Sequence, residues 1–394
     1  MKSLIVALAL LSATLCSRAD DGVRFTTITT WQQALDRAKA EQKPIFLDAY
    51  TDWCGWCKVM DRETFSDSAV AAVMNASFVN VKMEMETGEG IDVAMKYRIS
   101  GFPTFVVFTP DGVPTYRTTG FRAPADWLPM LDAMRDPSRA LKQAGVTPTL
   151  KLPFPAWHRA AFEKGKARKQ PDAATVHAWF DAYDNKYDEV AFGVILKHRL
   201  RPEQIDWVLE HEQEYRRLYD TEVDEVLQDK GQLVFKKAVE TKDTSLLGKV
   251  VDFFRPAKDE AVWMKERFEA MYYAQTKDWP GLGAQLQSMS NELGASASST
   301  VNEFAWQMYE TCDDQRALSL AASAMKPIAT RDDADWAHID TYAALLFKSG
   351  QFAEAEVQAK RAIERGKAAG ADVKETTQLL ERIRTASSGA KQSK

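Results

Sequence analysis

The chain has few cysteines and histidines, no excess of positive charge, and no long apolar run beyond its first residues. Four cysteines are too few for a scaffold stapled by disulfides, and five histidines are too few for a metal-rich protein. A formal net charge of −5 gives no basic surface of the kind that binds nucleic acid or an acidic membrane. We therefore expect no nucleic-acid partner and no stable membrane insertion.

What the chain does have is the composition of a globular protein. It is 45 % hydrophobic and 27 % charged over 394 residues. Those proportions exclude a wholly disordered or collagen-like chain and provide enough apolar material for a core. At roughly 150 residues per domain, the length predicts two or three domains.

Residues 1–19 have the layout of a secretory signal peptide. Lys2 provides a positive start, residues 4–15 are almost continuously apolar, and Ser17-Arg18-Ala19 offers small residues where cleavage requires them. Cys16 could instead accept a lipid, but a lipoprotein signal has a small residue before the cysteine, and here that residue is Leu15. We expect an exported protein, periplasmic in a bacterium or else secreted.

Helical and extended patterns alternate between residues 25 and 136. The predicted strands are 44–50, 78–83, 105–108 and 113–119, and the predicted helices are 31–41, one that begins at Cys54, and 124–134. The first strand is almost continuously apolar, as a central buried strand is. The pattern predicts an α/β fold with helices flanking a mixed sheet.

Two of the three cysteines beyond the signal segment form the motif Cys54-Gly55-Trp56-Cys57. At the start of a helix, free N–H groups and the helix dipole would keep part of the Cys54 thiol ionised, and only the thiolate attacks a disulfide. Cys57, one turn later, can release the captured partner, and Gly55 is expected to permit the tight approach. The alternative, half of a zinc site, needs two further ligands, and no second Cys-x-x-Cys is present. The motif predicts a two-electron redox switch.

Other residues, together with this motif, resemble the thioredoxin superfamily. Asp48 stands six residues before Cys54, where thioredoxins keep a buried carboxylate. The loop Gly101-Phe102-Pro103-Thr104 is similar to the family's cis-proline loop. Lys82 resembles the family's lysine near that carboxylate, and Gly120 resembles its groove-lining glycine. The resemblance covers less than a third of the chain and implies a thioredoxin-like fold there.

The resemblance also implies roles for the site residues. Asp48 would accept a proton from Cys57 through water, because burial raises the pKa of a carboxyl towards neutrality. Pro103 would face the cysteines in the cis form and position the backbone of the substrate. The residues expected to form the substrate-binding surface are Trp53, Gly55, Trp56, Phe102 and Gly120.

Several of these residues also have a plain structural interpretation. Asp48 could be hydrogen bonded at a strand end, Pro103 could be a trans proline that begins a strand, and the two tryptophans could be ordinary surface aromatics. The dipeptide between the cysteines is Gly-Trp, which departs from the Gly-Pro of thioredoxins and the Gly-His of disulfide isomerases. Because Trp56 brings no imidazole next to Cys54, we expect a reductase or an isomerase in preference to a strong oxidant.

The rest of the chain is predicted to be mostly helical. Residues 137–156 are punctuated by proline and predict a linker, residues 157–290 show helical periodicity, and residues 387–394 predict a disordered tail. A basic cluster near the start of the helical region is interpreted as a solvated face; its members are Lys164, Lys166, Arg168 and Lys169.

Residues 299–385 contain an internal repeat with a spacing of 38 residues. The matched pairs are Ala305 with Ala343, Met308 with Leu346, Tyr309 with Phe347, Ala317 with Ala355, Ala321 with Ala359, and Ala324 with Ala362. Gly350, Phe352, Ala355 and Ala362 resemble the spacing of a tetratricopeptide repeat, so we expect stacked helical hairpins with a concave face for a partner protein. An ordinary helical bundle is the alternative. Cys312, in the same region, is interpreted as a structural thiol in preference to a redox one.

These patterns predict an exported thiol–disulfide oxidoreductase, a reductase or isomerase of protein disulfides, joined to an all-α helical-repeat region that binds a partner. Its substrates would be protein thiols and disulfides, an upstream redox partner would exchange electrons with it, and no metal or other cofactor is expected. The alternative is a non-enzymatic helical-repeat adaptor in which Cys54 and Cys57 form a structural disulfide.

Overall fold

The computed structural model describes residues 22–392 and divides into two compact units, the first ending at Val226 and the second beginning at Leu227. The predicted signal peptide, residues 1–19, lies outside the described residues. Within residues 22–392, no helix combines the length and apolar character that crossing a membrane requires.

The first unit is built on a four-stranded mixed sheet. Its strands are β1 (Ile45–Tyr50), β2 (Val79–Glu84), β3 (Thr104–Phe108) and β4 (Pro114–Thr119), arranged in the order β2-β1-β3-β4. Strand β1 pairs parallel with β2 and antiparallel with β3, and β3 pairs antiparallel with β4. The predicted α/β class and thioredoxin-like arrangement are confirmed.

Helices flank this sheet on both faces. They are α1 (Trp31–Glu41), α2 (Gly55–Val59), α3 (Ser68–Ser77), α4 (Gly88–Lys96) and α5 (Pro124–Arg135), and a π-helical turn over Met60–Thr64 follows α2. Successive side chains of a strand point to opposite faces. Ile45 and Leu47 accordingly pack with α1 and α4 residues, whereas Phe46 packs with Trp127 of α5. Asp48 is two residues after Phe46 on the same strand, so the two side chains point to the same face of the sheet.

Residues 137–226 belong to the same unit as the sheet. They form five further helices: α6 (Ala156–Ala160), α7 (Ala173–Ala182), α8 (Glu189–Lys197), α9 (Pro202–Glu210) and α10 (Glu212–Tyr219). Leu150 and Phe154, inside the predicted linker, pack against the core on the α1 side of the sheet, and so does Phe162. The structure thus differs from the predicted division at 137–156, because apolar side chains between the prolines anchor that segment.

The described residues of the second unit contain helices and no strands, and its first helix begins three residues before the unit boundary. Its helices are α11 (Asp224–Thr241), α12 (Leu247–Phe254), α13 (Lys258–Thr276), α14 (Trp279–Leu293), α15 (Ser298–Thr311), α16 (Gln315–Ala329), α17 (Trp336–Lys348), α18 (Phe352–Ala368) and α19 (Lys374–Gln392). Helix α19 continues through residues 387–392, where a disordered tail was predicted.

The 38-residue repeat coincides with two successive helical pairs, α15–α16 and α17–α18. The matched alanines of these pairs are all buried in one core: Ala305 with Ala343, Ala317 with Ala355, Ala321 with Ala359, and Ala324 with Ala362. Small side chains let neighbouring helices approach closely, which explains why alanine recurs at these positions. Assignment of these helices to the tetratricopeptide type stays a prediction.

Candidate functional site

Cys54 and Cys57 form a disulfide at the N-terminus of α2, with their Cα atoms 5.4 Å apart. Cys54 is the residue that caps this helix, and the backbone N–H of Cys57 donates a hydrogen bond to the Cys54 Sγ atom at 3.0 Å. The same N–H is placed to stabilise negative charge on that sulfur when the bond is reduced.

Asp48 is a buried carboxylate on β1, next to Lys82 on β2 in the register of the parallel pair. The Lys82 Nζ atom lies 2.9 Å from Asp48 Oδ2 and also contacts the carboxylate of Asp61. Burial raises the pKa of Asp48 to about 6, although the charge of Lys82 opposes this shift. Within the described part of the chain, Asp48 Oδ1 has no hydrogen-bond partner. A carboxylate in this state can exchange a proton near neutral pH.

The predicted proline loop precedes β3 and is tied to the end of β4. The peptide bond between Phe102 and Pro103 is cis, and the backbone N–H of Gly120 donates to the Pro103 carbonyl oxygen at 2.9 Å. Gly120 has a φ of +84°, which favours glycine. A Cβ atom added at Gly55 would meet no heavy atom within 4 Å apart from its chain neighbours and the backbone of its own helix. The role expected for Gly55 stays a prediction.

Two aromatic pairs flank the disulfide. Trp53 packs edge to face against Phe102 of the proline loop, with ring centroids 5.9 Å apart. Trp56 stacks on Phe121 at 5.5 Å. Trp53 and Trp56 are each 60 % exposed, whereas Cys54 is 3 % exposed. The indole rings are thus the exposed part of this surface, and the first cysteine is buried beside them.

Sequence reasoning missed three residues of this site: Phe121, Glu86 and Arg168. Phe121 follows Gly120 directly, and an aromatic at that point is the signal that could have indicated it. Glu86 accepts a hydrogen bond from the Trp53 Nε1–H at 2.9 Å and pairs with Arg168. Arg168 belongs to the cluster interpreted as a solvated face, and no local pattern signals its contact with a residue 82 positions away.

No arrangement in the described residues is suited to a metal. Across residues 22–392, no group of three or more His, Cys, Asp and Glu side chains is placed to hold an ion. Cys312 is a free, fully buried thiol in the core of the second unit, and burial raises its pKa. Because the charged form is disfavoured there, this thiol is poorly suited to nucleophilic chemistry.

Residues 9–136 match the family model described as Thioredox_DsbH, a protein of unknown function, DUF255. The chain is 33 % identical over 110 residues to the thiol:disulfide interchange protein DsbD of Vibrio vulnificus, a match that covers 27 % of this chain and 18 % of that one. It is 28 % identical over 171 residues to human spermatogenesis-associated protein 20, covering 40 % of this chain and 22 % of that one. The chain thus spans about a fifth of the length of these curated relatives.

Among solved structures, the chain is similar to one titled as a putative disulphide-isomerase from Bacteroides thetaiotaomicron. The identity is 37 %, the match covers 29 % of this chain and 93 % of that one, and the TM-score is 0.27.

Proposed function

We propose that this chain, whose first unit contains a thioredoxin-like domain of the thiol–disulfide oxidoreductase type, is an exported reductase or isomerase of protein disulfides. The observation that carries the proposal is the Cys54–Cys57 bond at a helix N-terminus, with the Cys57 N–H directed at the Cys54 sulfur. That arrangement favours Cys54 as the attacking thiolate.

The chemistry consists of two thiol–disulfide exchanges. In the reduced protein, the Cys54 thiolate attacks one sulfur of a substrate disulfide, so a Cys54–substrate bond forms, the substrate S–S bond breaks, and the departing substrate thiolate takes a proton. Cys57 then loses its proton and attacks the Cys54 sulfur. The Cys54–Cys57 bond forms, the second substrate thiolate leaves, and two electrons have passed from protein to substrate.

Asp48 is proposed as the proton acceptor for Cys57. Its pKa of about 6 leaves it ionised at neutral pH yet basic enough to take a proton. Lys82, at 2.9 Å, holds the carboxylate in place and favours its charged form. The unpartnered Oδ1 oxygen is available for a water that links the two side chains.

The surface around the disulfide is proposed to receive an extended protein chain. Pro103 and Gly120 would line its floor and present backbone groups to the substrate. Trp53 and Trp56, each 60 % exposed, would contact apolar side chains on either side of the bond under attack. Phe102 and Phe121 support those two rings.

Export, redox partner and helical-region partner are parts of the same proposal. The layout of residues 1–19 supports export, to the periplasm in a bacterium. The name of the DsbD relative, a thiol:disulfide interchange protein, supports a dithiol protein as the partner that returns the pair to the reduced state. The helices of residues 299–385 would bind a further partner protein.

A trapping experiment tests the proposal. In Cys57→Ser, the second exchange cannot occur, so a mixed disulfide through Cys54 should accumulate with a disulfide-bonded peptide and appear as an added peptide mass. Cys54→Ser should trap nothing, and the buried control Cys312→Ser should behave as the parent. The proposal is wrong if Cys57→Ser captures no peptide while Cys54 remains open to alkylation.

A redox titration separates this function from the adaptor alternative. The fraction of Cys54 and Cys57 open to alkylation is measured against a buffer of known potential. A working reductase or isomerase exchanges above about −300 mV, whereas a pair that resists reduction well below that value is a structural disulfide.

A further inference from the structure

Two basic residues that follow the thioredoxin-like domain are connected to Asp52 and Trp53, Lys164 directly and Arg168 through Glu86. Lys164 pairs with Asp52, and Arg168 pairs with Glu86. Asp52 and Trp53 immediately precede Cys54 in the chain. Two members of the basic cluster, Lys164 and Arg168, therefore form ion pairs with acidic residues of the thioredoxin-like domain. Lys166 is exposed and has no ion pair among the described residues.

Glu86 joins Arg168 to the Trp53 indole. Its side chain is 3 % exposed; Oε2 accepts the Trp53 Nε1–H at 2.9 Å, and Oε1 accepts a hydrogen bond from the Arg168 guanidinium. A buried carboxylate without a counter-charge is strongly disfavoured and turns towards water. Arg168 therefore stabilises the orientation in which Glu86 holds the ring.

From this geometry, and resting on the function proposed above, we infer that Arg168 is a positioning residue of the redox site. Through Glu86 it fixes the Trp53 indole as a preformed wall of the substrate-binding surface. The wall also contacts Phe102 of the proline loop, so the ring is held between that loop and the segment that follows the domain.

Fixing the ring affects binding more than chemistry. A side chain that is already immobile loses no rotamer freedom when substrate binds, whereas a mobile one does. Arg168 touches neither sulfur nor Asp48 in the described contacts, so the exchange steps should proceed at the same rate once substrate is bound. Loss of Arg168 should raise the substrate concentration that gives half-saturation and leave the limiting rate unchanged.

The test uses the reduced full-length protein in single-turnover reactions with a disulfide-linked peptide whose fluorescence rises on reduction. Arg168→Gln should raise the half-saturating peptide concentration about 2- to 10-fold, with the limiting rate within about twofold of the parent. Lys166→Gln removes the same charge from the same segment and should change neither quantity. The Arg168 side chain is 38 % exposed and Glu86 can turn towards water when the guanidinium is lost, so both variants should still unfold cooperatively, which thermal unfolding of each checks.

A Trp53→Phe variant tests whether Arg168 acts through the Trp53 ring. Trp53→Phe keeps an aromatic ring and removes the N–H that Glu86 holds, so adding Arg168→Gln to it should have no further effect on half-saturation. An Arg168→Gln protein that matches the parent overturns the inference, and so does an equal increase in both backgrounds. Failure of the proposed function looks different, since the parent would then reduce the peptide no faster than Cys54→Ser.

Discussion

Lys96 of α4 and Glu189 of α8 form a buried ion pair, with Lys96 Nζ 2.8 Å from Glu189 Oε1 and both side chains at most 3 % exposed. The second Glu189 oxygen accepts the backbone N–H of Thr147 at 2.8 Å. The pair joins the thioredoxin-like domain to residues that the sequence assigned to a linker and a separate helical region.

Lys96→Met should lower the free energy of unfolding by about 3–5 kcal/mol, because it leaves Glu189 buried without a counter-charge. Adding Glu189→Gln removes that charge and keeps an acceptor for Thr147, so the double variant should regain at least half of the loss. The control Arg37→Met breaks the exposed pair with Glu41 and should cost less than about 1 kcal/mol. Urea unfolding measures all four proteins, and equal losses in the single and double variants would contradict the account.

Asp48→Asn should stabilise the oxidised protein at neutral pH. Burial raises the pKa of Asp48 from 3.8 to about 6, so the folded state binds the proton more tightly than the unfolded state does. The contribution of Asp48 to the stability of the parent is therefore complete at pH values below 3.8 and is lost as the pH rises through about 6. At one pKa unit per 1.36 kcal/mol, Asp48→Asn should gain up to about 3 kcal/mol at pH 8 and little at pH 4.

The matched control for that measurement is Asp61→Asn, which removes the other carboxylate on Lys82. Its side chain is 46 % exposed, so its ion pair should contribute less than about 1 kcal/mol. The same Asp48→Asn protein should release the mixed disulfide more slowly, because Cys57 loses its proton acceptor. A variant that is less stable than the parent at pH 8 would show that the Lys82 pair outweighs the cost of burial.

Acid should destabilise the first unit through two neighbouring histidines. His158 Nδ1 lies 3.0 Å from His198 Nε2 in a buried contact, and burial lowers the pKa of both, to about 4 for His198. The unfolded state then binds more protons than the folded state. The contribution of the two neutral histidines to stability is therefore complete above pH 6.5 and is lost as the pH falls towards about 4.

His198→Gln should reduce this acid loss by about half, since one of the two titrating rings is removed. The control His177→Gln lies on α7 of the same unit and keeps the contact between His158 and His198, so the acid loss should persist in it. A loss of stability below pH 6.5 that is identical in the parent and His198→Gln would assign it to other groups.

Sequence alone located the parts of the site that are close together in the chain or share a family pattern. The Cys54–Cys57 pair lies within one helical turn, and Asp48 and Lys82 were identified from their resemblance to thioredoxin positions; the structure places these two side by side. Glu86 and Arg168 could not be found this way, because a basic run beside a helix is most often solvated and their pairing depends on tertiary structure.

The sequence pattern did not indicate the boundary of the first unit, for a related reason. Proline-rich segments are typical of linkers, but prolines do not prevent the residues between them from packing. Leu150 and Phe154 pack on the core, and Glu189 then neutralises Lys96 from a helix far along the sequence. The mixed sheet, by contrast, follows from alternation and apolar runs that are local properties of the chain.

The most direct test of the central claim is the pH dependence of Cys54 alkylation in reduced Cys57→Ser. If the helix N-terminus stabilises the thiolate, the iodoacetamide rate should reach half its maximum below about pH 7.5, at least one unit under the value of about 8.5 for a free thiol. A half-maximum at about pH 8.5 would mean that Cys54 is an ordinary thiol, and the proposed nucleophile would be contradicted.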